Sequence, residues 1–469
     1  MKNNSSLCCR FAAINLPTYH ILKFTNSYRE TIVLAIPVII GQLSNLLMNI
    51  TDNIIVGHLG PDALSAASFA NSCFYLVAVF GFGAMNAIPS LVAEARGAEN
   101  EENVRQHLWA GLGSGLITGT LIGVILFAMS YWMPYMGQPE NDVLLAMPFL
   151  QLMALSAPFM IMFSSIKGFF DGLEKSSIGM IISTFGLALN IFLNLGLIFG
   201  QFGMPEIGFI GSAFSTLISR VVVFILMLVT LFLHPVSKPY LNTKKLDLSF
   251  LLQNLKLGIP MGLQILFEVA AFSGAGIMIG WLPGDEAIVG RSAHQIALNM
   301  VSATYMVMLG LSVAGSIKVG EAYGSGNPVA IKKAGEITIK LALAVVVISA
   351  TCLFFFSGFF SRIYGIEDYR VVLVTASLVQ IAAIFQIFDG IQCISAGLLR
   401  GIQDVKVPTI ITFAAYWVIW IPLAYWMGFT LDMGVEGIWY ADLIALGIAA
   451  VLLSWRFFSS AKLKIRYYE

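Results

Sequence analysis

The sequence predicts an all-α integral membrane protein of twelve transmembrane helices in two parallel six-helix repeats, and three observations carry that expectation. Of 469 residues, 58% are hydrophobic and only 11% charged, against roughly 25% charged in a soluble domain. The apolar residues come in long runs: Leu108 to Trp132 and Leu341 to Phe360 contain no charge, and a spanning helix needs about 20 apolar residues. Such runs in lipid are read as helices, because a helix satisfies its own backbone. Finally, the second half of the chain echoes the first. Leu34-Ala35-Ile36-Pro37 returns as Leu257-Gly258-Ile259-Pro260, and Glu94-Ala95-Arg96-Gly97 as Glu321-Ala322-Tyr323-Gly324. Gly168 and Gly172 return as Gly397 and Gly401, and Gly208 and Gly211 as Gly434 and Gly437. The order is kept and the offset stays between 223 and 229 residues.

Runs and breaks place the helices at 32–55, 64–88, 108–130, 144–164, 177–199, 209–232, 256–281, 293–316, 336–358, 371–394, 408–429 and 437–456. Turn-rich pieces separate them, among them Gly57–Pro61, Met133–Asp142, Gly200–Gly208 and Gly324–Pro328. Basic residues test the layout. With the N-terminus inside, 22 of the 26 Lys and Arg residues fall on the inner side. Arg291, Arg362 and Arg370 fall outside and Arg220 lies within helix 6. That asymmetry predicts an even number of spans with both termini cytoplasmic in the plasma (inner) membrane. Six spans per repeat keep the two halves in the same orientation, hence parallel repeats. The expected organisation is an N-terminal segment (1–31), an N lobe (32–234), a polar linker (235–255), a C lobe (256–456) and a tail (457–469). Residues 1–28 lack the apolar core and small-residue cleavage site of a signal peptide.

Lys+Arg and Asp+Glu both number 26, and no basic stripe separates from the membrane flanks, so nucleic acid is not an expected partner. The five cysteines, including the Cys8–Cys9 pair, have no disulfide or zinc spacing. The five histidines are too scattered for a metal site, and no Gly-Lys pair, hence no phosphate-cradling loop, occurs. An ATP-driven pump and a metal enzyme are therefore unsupported, which leaves a secondary transporter and no enzymatic activity. No cofactor is expected beyond a coupling ion.

Ionisable groups at membrane depth cost at least about 2.5–3.5 kcal/mol each on insertion scales, so each asks for a function. Asp52 in helix 1, Glu268 in helix 7 and Asp389 in helix 10 stand out. Asp442 in helix 12 lies nearer a predicted helix end and carries less weight. Helix 1 adds Gln42, Asn45 and Asn49, the last two on one face with Asp52, and helix 5 adds Asn190 and Asn194 one turn apart. The amides serve equally as interhelical glue. An unpaired acid is poor glue. Removing a carboxylate from water disfavours its charged form, so that such a group takes up a proton or Na⁺ near neutral pH. If helices 7 and 10 face each other, Glu268 and Asp389 make a site for one monovalent cation.

Pro37 to Gly60, Ala293 to Asn299, Val319 to Gly324 and Leu398 to Pro408 together resemble the multidrug and toxic compound extrusion (MATE) family, in its bacterial NorM-like branch, over about residues 30–455. The resemblance implies a V-shaped pair of six-helix lobes exporting small organic cations in exchange for Na⁺ or H⁺. Family-type cation residues fall on Glu268 and Asp389, with Tyr305 as the matching aromatic, and in the first lobe on Asp52 with Asn190 and Asn194 as partners. Phe385 stands where some relatives carry a polar aromatic. Glu367 and Asp368 form an acidic outer loop. The expected assembly is a monomer in membrane lipid. The competing reading is a lipid-linked oligosaccharide flippase of related architecture, which calls for a cavity lined with Arg and Lys.

Overall fold

The computed structural model describes residues 28–242, 247–359 and 368–465, with side chains up to Ser460. The N-terminal segment to residue 27 with Cys8 and Cys9, the linker residues Lys244 and Lys245, Arg362, Glu367 and the last tail residues 466–469 lie outside the described residues. Among the described residues twelve helices are long and apolar enough to cross a membrane: α1 Tyr28–Gly57, α2 Pro61–Gly97, α3 Glu101–Ser130, α4 Glu140–Gly172, α5 Ser176–Phe199, α6 Ile210–Leu233, α7 Leu248–Ile279, α8 Asp285–Gly324, α9 Pro328–Phe355, α10 Tyr369–Gly401, α11 Lys406–Thr430 and α12 Gly434–Ser460. α2 is broken at Asn86, and α11 contains two wide π turns, Ala414–Trp420 and Trp426–Thr430.

Several helices overrun their predicted ends. Helix 2, expected at 64–88, continues to Gly97, and helix 8, expected at 293–316, runs from Asp285 to Gly324. Apolar runs report only the stretch that meets hydrocarbon, and these helices extend into polar turns beyond it. The new starts are fixed by caps, which satisfy backbone donors that a helix leaves open. Asn100 accepts from the Asn103 amide at α3 and Asn327 from the Ala330 amide at α9, both at 3.0 Å. These two caps are themselves a repeat pair, 227 residues apart. Asp247 caps α7 and Asp368 caps α10. The backbone amide of Ser249 holds the Asp247 carboxyl below the usual carboxylate range, and the backbone amide of Arg370 does the same for Asp368.

Packing follows the repeat. α3 packs on α4 as α9 packs on α10, and α4 on α6 as α10 on α12. Between the lobes, α1 packs on α8 and α7 on α2, contacts that exchange when the halves are exchanged. One apolar cluster fills the N lobe around Phe74, Phe149, Phe169 and Phe170, and another the outer part of the C lobe around Phe385, Tyr416, Trp420 and Trp439. A third joins Leu34, Ala35, Val38 and Ala93 to Leu311, Ile317 and Leu398 across the lobes. Large apolar side chains on the helix exteriors, such as Val124, Ile181, Ile348 and Val418, are exposed, as a surface bathed in hydrocarbon requires.

Even span number puts both ends of the bundle on one face, here the termini face. The inter-lobe contacts named above run from mid-membrane to that face. At its edge two main chains cross. A Cβ on Gly97 would run into the backbone carbonyl of Glu321, and one on Gly324 into that of Glu94. The repeated Glu-Ala-x-Gly segments are thus the crossing point, and glycine is there because no side chain fits. Around it lies a ring of charge. Arg96 bridges Glu174 of its own lobe and Glu321 of the other, each at 2.9 Å. Lys318, only 9% exposed in its side chain, reaches Glu174 at 2.5 Å, Glu321 at 3.7 Å and Glu30 at 4.0 Å. Gln403 donates to Glu94 across the lobes. Burial opposes ionisation of Glu174, but Arg96 and Lys318 together outweigh it and hold its carboxyl below the usual carboxylate range. Towards the opposite face, Leu47, Ile50 and Ile54 of α1 and Ile288 of α8 are exposed.

Candidate ion and substrate site

In the N lobe, Asp52 of α1 meets α5 and α6. Asn194 donates to Asp52 Oδ1 at 2.5 Å and Thr216 to Oδ2 at 3.3 Å. Asn194 also donates to Asn190 Oδ1, and Asn190 to Thr216. The one-turn spacing of Asn190 and Asn194 puts both amides on the α5 face turned to α1 and α6, and both are fully buried. Thr216 is a site residue that sequence reasoning missed. Its signal was the run Ser212, Ser215, Thr216, Ser219 on an otherwise apolar helix. Arg220, one turn further along α6, donates to Ser156 of α4 at 2.6 Å and lies 4.6 Å over the Phe74 ring of α2.

Gln42 and Asn45 are not drawn into this cluster. Gln42 is half-buried and Asn45 exposed, its backbone carbonyl accepting from the Asn49 side chain. Asn53 of α1 is exposed as well and accepts from Asn71 of α2 at 3.4 Å. On α8, Gln295 and Asn299 are exposed and hydrogen-bond to each other at 3.3 Å.

In the C lobe, Glu268 and Asp389 are both buried. They come together differently from the expectation that α7 and α10 face each other. α10 packs on α8, α9 and α12, whereas α7 leans on α2, α3 and α11. α8 stands between, and its Tyr305 lies within electrostatic reach of both Glu268 and Asp389. Asp389 Oδ1 is buried without a hydrogen-bond partner, and among the described residues neither acid forms an ion pair. The buried Arg400 of α10 acts on Glu268 only through its field. Neighbouring amides extend the polar interior: Gln386 donates to Thr304 of α8, and Gln392 exchanges hydrogen bonds with Tyr416 of α11. Phe385 does not join them. It is fully buried and packs at 5.5 Å on Trp439. Asp442, discounted from its nearness to a helix end, is buried, with Oδ1 lacking a partner. A separate depression of about 410 Å³ at the opposite face is lined by Asp285, Glu286, Asp432 and Glu436 around Arg370 and contains none of these site acids.

A polytopic bundle of two repeated lobes, joined towards one face and keeping acids at membrane depth, is the build of a secondary membrane transporter. The comparisons with known proteins narrow this. A family model described as MatE matches residues 37–195 and 260–426, and the chain belongs to the MatE family. It is 32% identical over 442 residues to the probable multidrug resistance protein NorM of Rhizobium meliloti (strain 1021), covering 92% of this chain and 93% of that one. It is 30% identical to the multidrug resistance protein NorM of Burkholderia vietnamiensis, over 91% and 93% of the two chains. The fold is similar to the outward-facing conformation of a multidrug resistance MATE family transporter, with a TM-score of 0.85 at 21% identity over 93% of this chain and 96% of the other. It is similar too to the eukaryotic MATE transporter AtDTX14, with a TM-score of 0.84 at 20% identity over 94% and 98%.

Proposed function

We propose that the chain is a secondary active multidrug exporter of the inner membrane, moving small organic cations outward in exchange for Na⁺ or H⁺. The observation that carries this reading is the pair of buried carboxylates, Glu268 and Asp389, joined through Tyr305 on α8 with one Asp389 oxygen left without a partner. A buried carboxylate oxygen without a protein partner has an incomplete coordination shell, and a proton or Na⁺ completes it. Loading that site changes the charge of the α7–α8–α10 assembly. Because α7 and α8 are also the helices that pack across the lobes on α2 and α1, occupancy acts directly on the lobe interface, which is how a ligand shifts a two-state equilibrium. The exposed amides Asn45, Asn53, Gln295 and Asn299 then offer substrate a neutral, hydrogen-bonding wall, with Asp52 behind it. With both termini cytoplasmic, the inter-lobe seal faces the cytoplasm.

The relatives' names, multidrug resistance proteins, support export of varied small molecules. They do not favour a lipid-linked oligosaccharide flippase. Three of the cations in the spans are already engaged, Lys167 by Asp171, Lys318 by Glu174 and Arg220 by Ser156. The test is ethidium export in proteoliposomes with Na⁺ and pH gradients imposed separately. One gradient should drive export, and Glu268→Gln and Asp389→Asn should each abolish it while the protein stays folded. Full gradient-driven export by both variants would sink the reading.

A further inference from the structure

α10 and α12 run side by side in the same direction, towards the termini face, and two contacts fix their register. The Phe388 ring lies 3.8 Å from where a Cβ on Gly447 would sit, and the Ser395 and Ser454 hydroxyls meet at 2.9 Å. Both pairs are 59 residues apart, which sets Asp389 level with Ile448. Asp442 is thus about 9 Å further from the termini face than Asp389, a carboxyl apart from the Glu268–Asp389 pair. It shares its face of α12 with Ile438, Trp439, Ala445 and Leu446, all fully buried. That face packs on α10 and on the π turn Ala414–Trp420 of α11, and π turns recur where a helix serves a site. Among the described residues no ion pair reaches Asp442, and its Oδ1 has no hydrogen-bond partner. The titratable groups around it are Asp389 of α10, Glu268 of α7, Tyr416 of α11, which is within electrostatic reach of all three acids, and His294 of α8, held by the Trp439 indole at 3.2 Å. α9 meets α12 at Gly335 and Phe457, about four turns nearer the termini face, and Lys332, Lys333, Glu336 and Lys340 lie in that half of α9. Arg400 lies at the same end of α10.

These surroundings separate H⁺ from Na⁺. A metal ion leaves water only where several oxygens replace its shell, because a bare charge in a low-dielectric interior is costly. Glu268 and Asp389 offer two carboxyls with Tyr305 between them. The side chains that share the α12 face with Asp442 carry no oxygen, and the Tyr416 hydroxyl is taken by Gln392. A proton needs one oxygen and leaves the group neutral. When the proton departs, the Trp420 indole N–H in the same cluster, buried and without a partner, is a spare donor for the carboxylate.

We propose that Asp442 is a proton-binding site of the C lobe, separate from the Glu268–Asp389 pair and selective for H⁺ over Na⁺. The proton comes from water, sits on Oδ1 and returns to water. Its part in transport rests on the coupling reading above: the C lobe then carries H⁺ at Asp442 beside the Na⁺ or H⁺ held by Glu268 and Asp389.

Infrared difference spectra of the full-length protein in lipid, acid against alkaline buffer and with or without Na⁺, test this. A carboxyl that gains a proton adds a carbonyl-stretching band that shifts in heavy water. Asp442→Asn, which keeps the shape of the neutral acid, should lose one such band, and in the parent protein that band should be indifferent to Na⁺. An Asp442→Asn spectrum identical to the parent's overturns the proposal, since the acid then keeps one protonation state throughout. Loss of a band that Na⁺ suppresses overturns the selectivity. If Asp442→Asn does not fold, Asp442→Glu decides: a titrating band moved in frequency supports the site, and an unmoved set of bands overturns it. Retained export by Glu268→Gln and Asp389→Asn would remove the coupling reading yet leave the Asp442 band in place, so the two failures are distinct.

Discussion

Replacing Lys318 with Met tests whether the ionic ring at the termini face holds the lobes together. Met keeps the length of the buried stem and removes only the charge. What is lost is a charge-assisted hydrogen bond across the lobes to Glu174 at 2.5 Å, with weaker attraction to Glu30 and Glu321. Hydrogen bonds to charged groups contribute about 1.5–3 kcal/mol. Glu174 and Glu321 would then share Arg96 alone, but both side chains are partly exposed, 33% and 22%, so water offsets much of the further cost. A net weakening of about 2 kcal/mol follows, and at 1.4 kcal/mol per factor of ten it shifts the equilibrium roughly 30-fold towards separation at the termini face. Spin labels at Gln138, in the turn before α4, and at Glu286, in the first turn of α8, both at the opposite face, report this by pulsed electron paramagnetic resonance once the native cysteines are replaced. Opening at one face brings the labels together at the other, so the short-distance population should grow by about that factor, and Lys318→Arg should restore the parent distribution. Distributions that stay within threefold of the parent in Lys318→Met would refute the argument that the ring stabilises the seal.

Acid should weaken the same seal. Glu174 is held below the ordinary carboxylate range in the sealed form, so its contribution is complete at and above that range and is lost as pH falls through the lowered value. The label distances should be flat in this respect around neutral pH and shift only on strong acidification, a shift that Glu174→Gln removes. Gly97→Val and Gly324→Val should each push the lobes apart at the crossing, because the obstructing atom is a main-chain carbonyl that no rotamer moves. Overpacking of this kind costs about 1–3 kcal/mol, read as increased labelling of single cysteines placed along the termini-side half of α2. Asn194→Leu should lower the thermal midpoint by the equivalent of about 1–3 kcal/mol, because it strips a hydrogen bond from the carboxylate of Asp52. A midpoint unchanged from the parent would show that Asn194 does not support Asp52.

The span count and the two halves were legible because both depend on local sequence: unbroken apolar runs and short motifs at a constant offset. The acids were legible for the same reason, each being the odd residue in an oily segment. Legibility ended where contacts join distant segments. Lys318 lies just past the expected end of helix 8 and counted only as a positive charge fixing topology, yet its buried ammonium joins a ring of charge with Glu174 and Glu30. Arg96 counted likewise. Thr216 looked like one hydroxyl among several until α6 was set beside α1. The notion that α7 and α10 meet face to face came from the chemistry of their acids, and Tyr305 of α8, singled out for its ring, proved to stand between them. Asp442 was weighed by its distance from a helix end along the chain, whereas burial depends on what lies around it.

The crossing of α2 and α8 has a mechanical consequence. Main chain rests on main chain there, with no side chain to compress, so the junction works as a fulcrum. A helix rises 1.5 Å per residue, so the 37 residues of α2 place its far end about 50 Å from Gly97. Rocking one lobe by about 10° on that pivot would sweep the distant mouth through close to 10 Å, roughly the width of a drug-sized molecule, while the fulcrum itself barely stirs. A small tilt at the hinge is thereby geared into a wide gape at the rim.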